Sequence, residues 1–155
     1  MDLPITPFDP DEKVEFQNPP KAFFEAIGGE EGMRRLMYRF YDKIYESDIA
    51  HFFPQDEDEF AKVKEKNTNF FIQICGGLKV YDESQGDLND YMIRFHDDFS
   101  IDEKARTEWL ATMRETLEEL EGVDEEAIRG FWDYVEAFSK LTVNRYDKKK
   151  RFEGY

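Results

Sequence analysis

Residues 91–113 read YMIRFHDDFSIDEKARTEWLATM, and the spacing of apolar side chains along this stretch sets the architecture. Leu88, Met92, His96 and Phe99 recur at intervals of three and four, the signature of one face of a short helix. Ala105, Trp109, Met113, Leu117 and Leu120 continue the same period, which predicts a long helix from Ile101 to Leu120. Between the two runs, Ser100 followed three residues later by Glu103 predicts a capping box at the second helix start. His96 thus closes one helix, and Trp109 sits on the apolar face of the next. Taken alone, a histidine on a half-apolar face far more often makes an ordinary hydrogen bond than binds a ligand.

The pattern repeats outward from this stretch. Upstream, Phe23, Phe24 and Ile27 predict a short helix over 21–27, stopped by Gly28-Gly29. Met33, Leu36, Met37, Phe40, Tyr41 and Ile44 then mark one face of a helix ending near Tyr45, so the Tyr41 hydroxyl should point inward and need a partner. Asp48 to Pro54 predicts one loose helical turn; His51 within it reads as structural. A helix over about 58–75 carries Phe60, Val63, Asn67, Phe70, Phe71 and Ile74. Asn67 therefore falls in the middle of an apolar stripe, where an unpartnered amide costs several kcal/mol. Either it finds a partner inside, or it lies at the stripe edge with its amide in water. Gly76-Gly77 ends this helix, and residues 78–89 form a polar linker long enough to suggest a functional segment. Downstream, Asp124 caps a last helix with Ile128, Phe131, Trp132, Val135, Phe138 and Thr142 on one face, and the acids Glu115, Glu118, Glu119 and Glu121 oppose the dipole of the helix before it. No stretch predicts a strand, so the fold class is all-α.

Five prolines within residues 1–20 predict an extended arm outside the core. A helical domain over 21–146 and a basic tail over 147–155, read as a solvated end, complete the chain. Its 155 residues carry a net charge of −15, which opposes contact with nucleic acid and with anionic membranes. The absence of a basic-flanked apolar leader and of any membrane-length apolar run points to a soluble, cytoplasmic protein. Fifteen Phe, eight Tyr and two Trp are many for this length. Either they fill a core, or some of them line a pocket for a flat ligand. A carboxylate-bridged metal bundle is excluded, since it requires Glu-x-x-His pairs and the chain offers only Asp48-x-x-His51.

The ordered set of features resembles one family. Two Gly-Gly breaks, Phe40-Tyr41, Phe53-Pro54, Tyr81 with Gly86, His96 with Phe99, Trp109-Leu110 and Trp132-Asp133-Tyr134 closing in Val143-Asn144 follow the order found in truncated haemoglobins. Trp109 leans the match toward their group II. The resemblance covers about Phe23 to Asn144 and implies a two-over-two helical sandwich around haem b, iron protoporphyrin IX, in a truncated globin domain over 21–146. Its two helix pairs would be Met33–Tyr45 with Asp58–Cys75, and Ile101–Leu120 with Asp124–Asn144.

By that resemblance His96 is the proximal iron ligand, and Tyr41 donates a hydrogen bond to the bound gas. Phe53 packs on the ring, Val63 and Asn67 occupy the distal helix, and Trp109 directs its indole N–H at the gas. Phe70, Met92, Phe99 and Met113 complete the haem surroundings. The implied ligands are dioxygen, carbon monoxide and nitric oxide, with nitric oxide dioxygenase or peroxidase-like activity as the enzymatic form and a reductase as its partner. The family's arginine directly before the histidine is Phe95 here, with Arg94 one step earlier, and its later proline is Asp98. Arg94, Lys79 and Tyr81 are accordingly the candidate anchors for the haem propionates. The alternative is a cofactor-free helical interaction module in which His96 and Trp109 belong to the core.

Overall fold

The computed structural model describes residues 1–76, 78–81 and 87–146. Gly77, the centre of the polar linker with Gly86, and the basic tail from 147 onward lie outside the described residues. Within those residues the chain forms six α-helices and two short 3-10 turns, with no strand. The helices are α1 (Lys21–Ala26), α2 (Gly29–Tyr45), α3 (Glu57–Gly76), α4 (Leu88–Phe95), α5 (Glu103–Glu118) and α6 (Glu125–Lys140). The 3-10 turns, Ala50–Phe52 and His96–Asp98, follow α2 and α4.

Each helix buries the face that its periodicity marks. In α2, Met33, Leu36, Met37, Phe40, Tyr41 and Ile44 are all buried, and the helix packs on both α3 and α5. In α6, Ile128, Phe131, Trp132, Val135 and Phe138 are buried against α5 and α1. The α1–α6 contact is a ring stack, with the Phe23 and Phe131 centroids 4.6 Å apart and nearly parallel. The turn from α1 into α2 depends on Gly28, whose φ of +107° lies in the left-handed region that side chains avoid. At the far end of α3, a Cβ on Gly76 would overlap the ring of Phe24, so the small residue lets α1 lie directly on α3. The acidic end of α5 does not stand unopposed. Glu119 is paired with Arg39 and Lys43 of α2, and Glu115 with Lys43, which offsets the unfavourable dipole.

Three sequence expectations are corrected. First, Ser100 does not cap α5. The cap is Asp102, whose carboxylate accepts from the Ala105 amide at 2.8 Å, while the Ser100 hydroxyl accepts from the Arg145 guanidinium at 2.9 Å. The backbone of Phe99 is extended and the Ile101 amide is held by Asn144, so the helix can begin only after Asp102. Asp also suits the positive helix end better than Ser.

Second, the last helix stops at Lys140 rather than running to residue 144. The amides of Asn144 and Arg145 donate to the carbonyl of Ile101, which takes them out of a helical ladder.

Third, the arm is not outside the core. Leu3 is only 2% exposed, and Ile5 and Phe16 pack against the buried cluster. The Trp132 indole donates to the Pro4 carbonyl at 2.9 Å, Arg114 to the Leu3 carbonyl at 3.1 Å, and the Thr6 amide to Glu136 at 2.9 Å. Prolines leave carbonyls free to accept while offering no N–H of their own, so an extended proline-rich strand suits this use.

Candidate functional site

Two groups of side chains converge, one around His96 and one around Tyr41. His96 terminates α4 as its C-cap and opens the 3-10 turn His96–Asp98. Its Nδ1 lies 2.7 Å from the carbonyl oxygen of Met92, one helical turn back. A carbonyl can only accept, so Nδ1 carries the proton and the Nε2 lone pair is left to bind a metal. Burial lowers the pKa of the ring, which the Met92 hydrogen bond and the nearby Asp97 oppose. The net shift favours the neutral imidazole, the form that ligates iron. Asp97 and Asp98 are exposed, so the carbonyl of Met92 is the group that orients the ring.

Tyr41, 3% exposed, projects from the buried face of α2. The side chain of Asn67 lies beside its hydroxyl, so the amide faces Tyr41 rather than only water. Burial raises the phenol pKa well above its ordinary range, and the Asn67 side chain lowers it. The hydroxyl therefore stays protonated and available as a donor. Val63 and Asn67 lie one turn apart on α3, both half-buried, with Phe70 buried on the following turn. Trp109 is half-buried on α5, edge-on to Phe40 at 4.9 Å, and Phe40 in turn packs edge-on to Tyr41 at 4.9 Å. Met113, one turn beyond Trp109, is fully buried.

The two groups meet at adjacent phenylalanines. Phe53 lies edge-on to Tyr41 at 5.9 Å, while Phe52 reaches Phe99 at 6.4 Å, and Phe99 in turn contacts His96 at 6.3 Å. Phe52 was not visible as a site residue in the sequence; its neighbour Phe53 carried the motif. Met92 is buried beneath the histidine. Of the expected propionate anchors, Arg94 is exposed and paired with Asp90 at 3.1 Å, and Lys79 is exposed. Tyr81 is half-buried, and its amide donates to the Gln73 side chain at 2.9 Å. Lys66 of α3, by contrast, holds its ammonium over the rings of Tyr81 at 5.9 Å and Phe95 at 5.7 Å, spanning the gap between α3 and α4. Nothing in its surroundings in sequence marks Lys66, because a lysine one residue off an apolar stripe is ordinary. His51 is exposed, with Nδ1 donating to the Asp48 carbonyl at 3.1 Å, a local helix-end bond.

The donor set fits a haem. One neutral imidazole with a free Nε2 stands on one side, and a phenol, an amide and an indole stand on the other. Phe53, Phe52 and Phe99 link the two sides. Buried polar groups of this kind burden a plain core but serve a ligand that develops negative charge.

Burial also raises the pKa of Tyr134, whose hydroxyl donates to Asn89 at 2.6 Å. Two of the eight tyrosines should therefore resist ionisation in the folded protein. Above the ordinary tyrosine value of 10.0 the unfolded chain releases protons that the folded chain retains, so stability falls as pH rises past that point. Phenolate absorbance followed to alkaline pH should show Tyr41 and Tyr134 titrating only with unfolding. Tyr41→Phe should remove one late step.

Comparison with known proteins identifies the family and the fold. A family model described as bacterial-like globin matches residues 22–144. Among solved structures, phosphate-bound Hell's gate globin IV superposes with a TM-score of 0.76 at 28% identity, covering 86% of this chain and 81% of that one. Haemoglobin from the thermophilic phototroph Chloroflexus aurantiacus gives 0.69 at 31% identity, over 79% of this chain and 98% of the other. The group II truncated haemoglobin of Bacillus anthracis gives 0.70 at 25% identity, over 83% and 95% respectively.

Proposed function

The chain belongs to the bacterial-like globins, a family that binds gaseous ligands on haem, and from that premise we propose that His96 ligates the iron of a haem b whose gas pocket is lined by Tyr41, Asn67 and Trp109. The observation that carries this reading is the hydrogen bond from His96 Nδ1 to the Met92 carbonyl, which leaves Nε2 as the free ligand atom. A haem held without thioether bonds, as haem b is, suits the cysteine count: Cys75 is the sole cysteine and is buried in α3, and Met92 and Phe95 stand at the two cysteine positions of a thioether-forming Cys-x-x-Cys-His ending at His96. A cytoplasmic setting suits a protein whose one cysteine is a free thiol.

When bound, haem iron supplies an open coordination position for dioxygen, carbon monoxide or nitric oxide. The protein's part is to hold donors where charge develops. The neutral Tyr41 phenol donates, Asn67 fixes its rotor, and Phe40 sets the tilt of the Trp109 indole. Val63 donates nothing and serves as an apolar wall. Phe52, Phe53 and Phe99 restrict water, which strengthens every hydrogen bond inside. Lys66 and Tyr81 are the groups placed to meet the propionates, with the exposed Arg94 and Lys79 available from the rim. Three donors converging on one small ligand retard its release. That property suits conversion of nitric oxide or peroxide, with electrons from a separate reductase, better than oxygen delivery.

Titration with haem should give one intense Soret band per chain that shifts on reduction and again with carbon monoxide. A protein that takes up no haem stoichiometrically would leave the helical interaction module as the remaining reading. Tyr41→Phe and Trp109→Phe should each speed oxygen dissociation in stopped flow by roughly ten- to a hundredfold, since one hydrogen bond to a charged group contributes about 1.5–3 kcal/mol. Unchanged rates in both variants would remove them from the distal pocket.

A further inference from the structure

The histidine-bearing segment is held from a distance by a residue near the end of the described chain. Asn144 lies four residues past the last turn of α6. Its Nδ2 donates to the main-chain carbonyls of His96 at 3.2 Å and Phe99 at 2.7 Å. Its Oδ1 accepts from the Ile101 amide at 2.8 Å, and the amides of Asn144 and Arg145 both donate to the Ile101 carbonyl at 2.9 Å. The Arg145 guanidinium completes the junction on the Ser100 hydroxyl at 2.9 Å. Doing all of this takes a side-chain carboxamide, and asparagine holds it one carbon closer to the main chain than glutamine would. An aspartate loses the two donations to carbonyls, and a leucine loses all three side-chain bonds.

We propose that Asn144 is a positioning residue for the proximal ligand, a clasp through which the chain after α6 sets the depth and tilt of His96. The histidine is then fixed twice. Met92 orients its ring through Nδ1, and Asn144 anchors its main chain. The need for a clasp follows from the local fold. His96 sits where α4 ends and the chain turns extended at Phe99, so helical hydrogen bonds hold it from one side only. Asn144 is itself exposed. Water can replace its bonds at small cost to global stability, so its loss should act mainly on the geometry of the segment.

The proposal rests on His96 as the iron ligand, and its test separates the two. The full-length protein, reconstituted with haem, is compared as wild type, Asn144→Ala, Asn144→Asp and Leu3→Ala. The last opens a core cavity in the arm and serves as a stability control. Resonance Raman of the ferrous form reads the iron–histidine stretch, transfer to a haem-scavenging globin reads haem loss, and thermal melts read stability. In Asn144→Ala and Asn144→Asp the stretch should shift or broaden, and haem loss should quicken roughly tenfold, the lower end of what outer-shell partners of metal ligands contribute. Both should melt within a few degrees of wild type. Leu3→Ala should melt lower yet keep the wild-type stretch.

Amide exchange adds an independent reading: Ile101 should exchange faster in Asn144→Ala and stay protected in Asn144→Asp, where an acceptor remains. An unshifted stretch in both Asn144 variants, or haem loss that merely tracks melting temperature across all four proteins, would overturn the clasp alone. A wild-type protein without an iron–histidine band would overturn the clasp together with the haem reading.

Discussion

His96→Ala should lose haem at least about a hundredfold faster than wild type, because removing only an outer-shell partner of a metal ligand already costs 10- to 100-fold. Reconstitution of the variant should give a weak, broad Soret band in place of a sharp one. The cause is local. Nε2 is the ring nitrogen of His96 left free to ligate, since Nδ1 is committed to the Met92 carbonyl. The fold should survive, because the ring is only partly buried and makes no long-range side-chain bond. Circular dichroism of the apoprotein should therefore match wild type. His96→Gly supplies the control, since imidazole added to solution can enter the vacated space and should restore the band. If His96→Ala holds haem as tightly as wild type, another side chain is the ligand, and exposed His51 becomes the first to replace.

The second large effect concerns stability rather than haem. Arg106 of α5 is 2% exposed, and its guanidinium pairs with Glu103 at 3.0 Å and Glu136 at 2.8 Å. It also donates to the Ser139 hydroxyl, the Glu136 carbonyl and the Thr6 carbonyl, so α5, α6 and the arm share one buried cation. Arg106→Met keeps the stem volume but strands the Glu136 carboxylate, which is only 14% exposed. Breaking one side of a buried pair costs about 3–5 kcal/mol, which for a domain of this size lowers the melting temperature by roughly 10 °C or more. Thermal melts of Arg106→Met, Glu136→Gln and the double variant check this. The double variant should recover part of the loss, because no unpaired charge is left inside. A melt for Arg106→Met within a degree or two of wild type would mean that water and the Thr6 amide and hydroxyl accommodate the Glu136 carboxylate without this cation. The arm should respond as well. With the Thr6 carbonyl no longer held by Arg106, a protease should cut residues 1–20 sooner.

The all-helical fold was legible residue by residue. Apolar side chains at steps of three and four depend only on neighbours within one turn, so the buried faces of α2, α3 and α6 follow from the chain read locally. The same logic placed Tyr41 inward and left Asn67 open between the interior and the stripe edge, and the structure sets its side chain beside the Tyr41 hydroxyl. The resemblance to truncated haemoglobins named His96 and Trp109, and the membership in the bacterial-like globins is established. The cap of α5 misled because Ser100 and Asp102 are both good capping residues. Which one acts depends on Asn144, forty-four positions from Ser100, taking the intervening Ile101 amide.

What the sequence by itself determined is therefore the set of helices and their inward faces. Local periodicity and side-chain chemistry suffice for these. Only the tertiary structure decided that the Met92 carbonyl orients His96, that Asn144 clasps its main chain and that Lys66 spans α3 and α4. It also decided that the proline-rich arm is fastened along α5 and α6 around Arg106. The physical reason is common to all of these. A main-chain carbonyl is the same group in every residue, so nothing in the letters marks the one that will accept, and a long-range bond exists only once two distant segments have packed together.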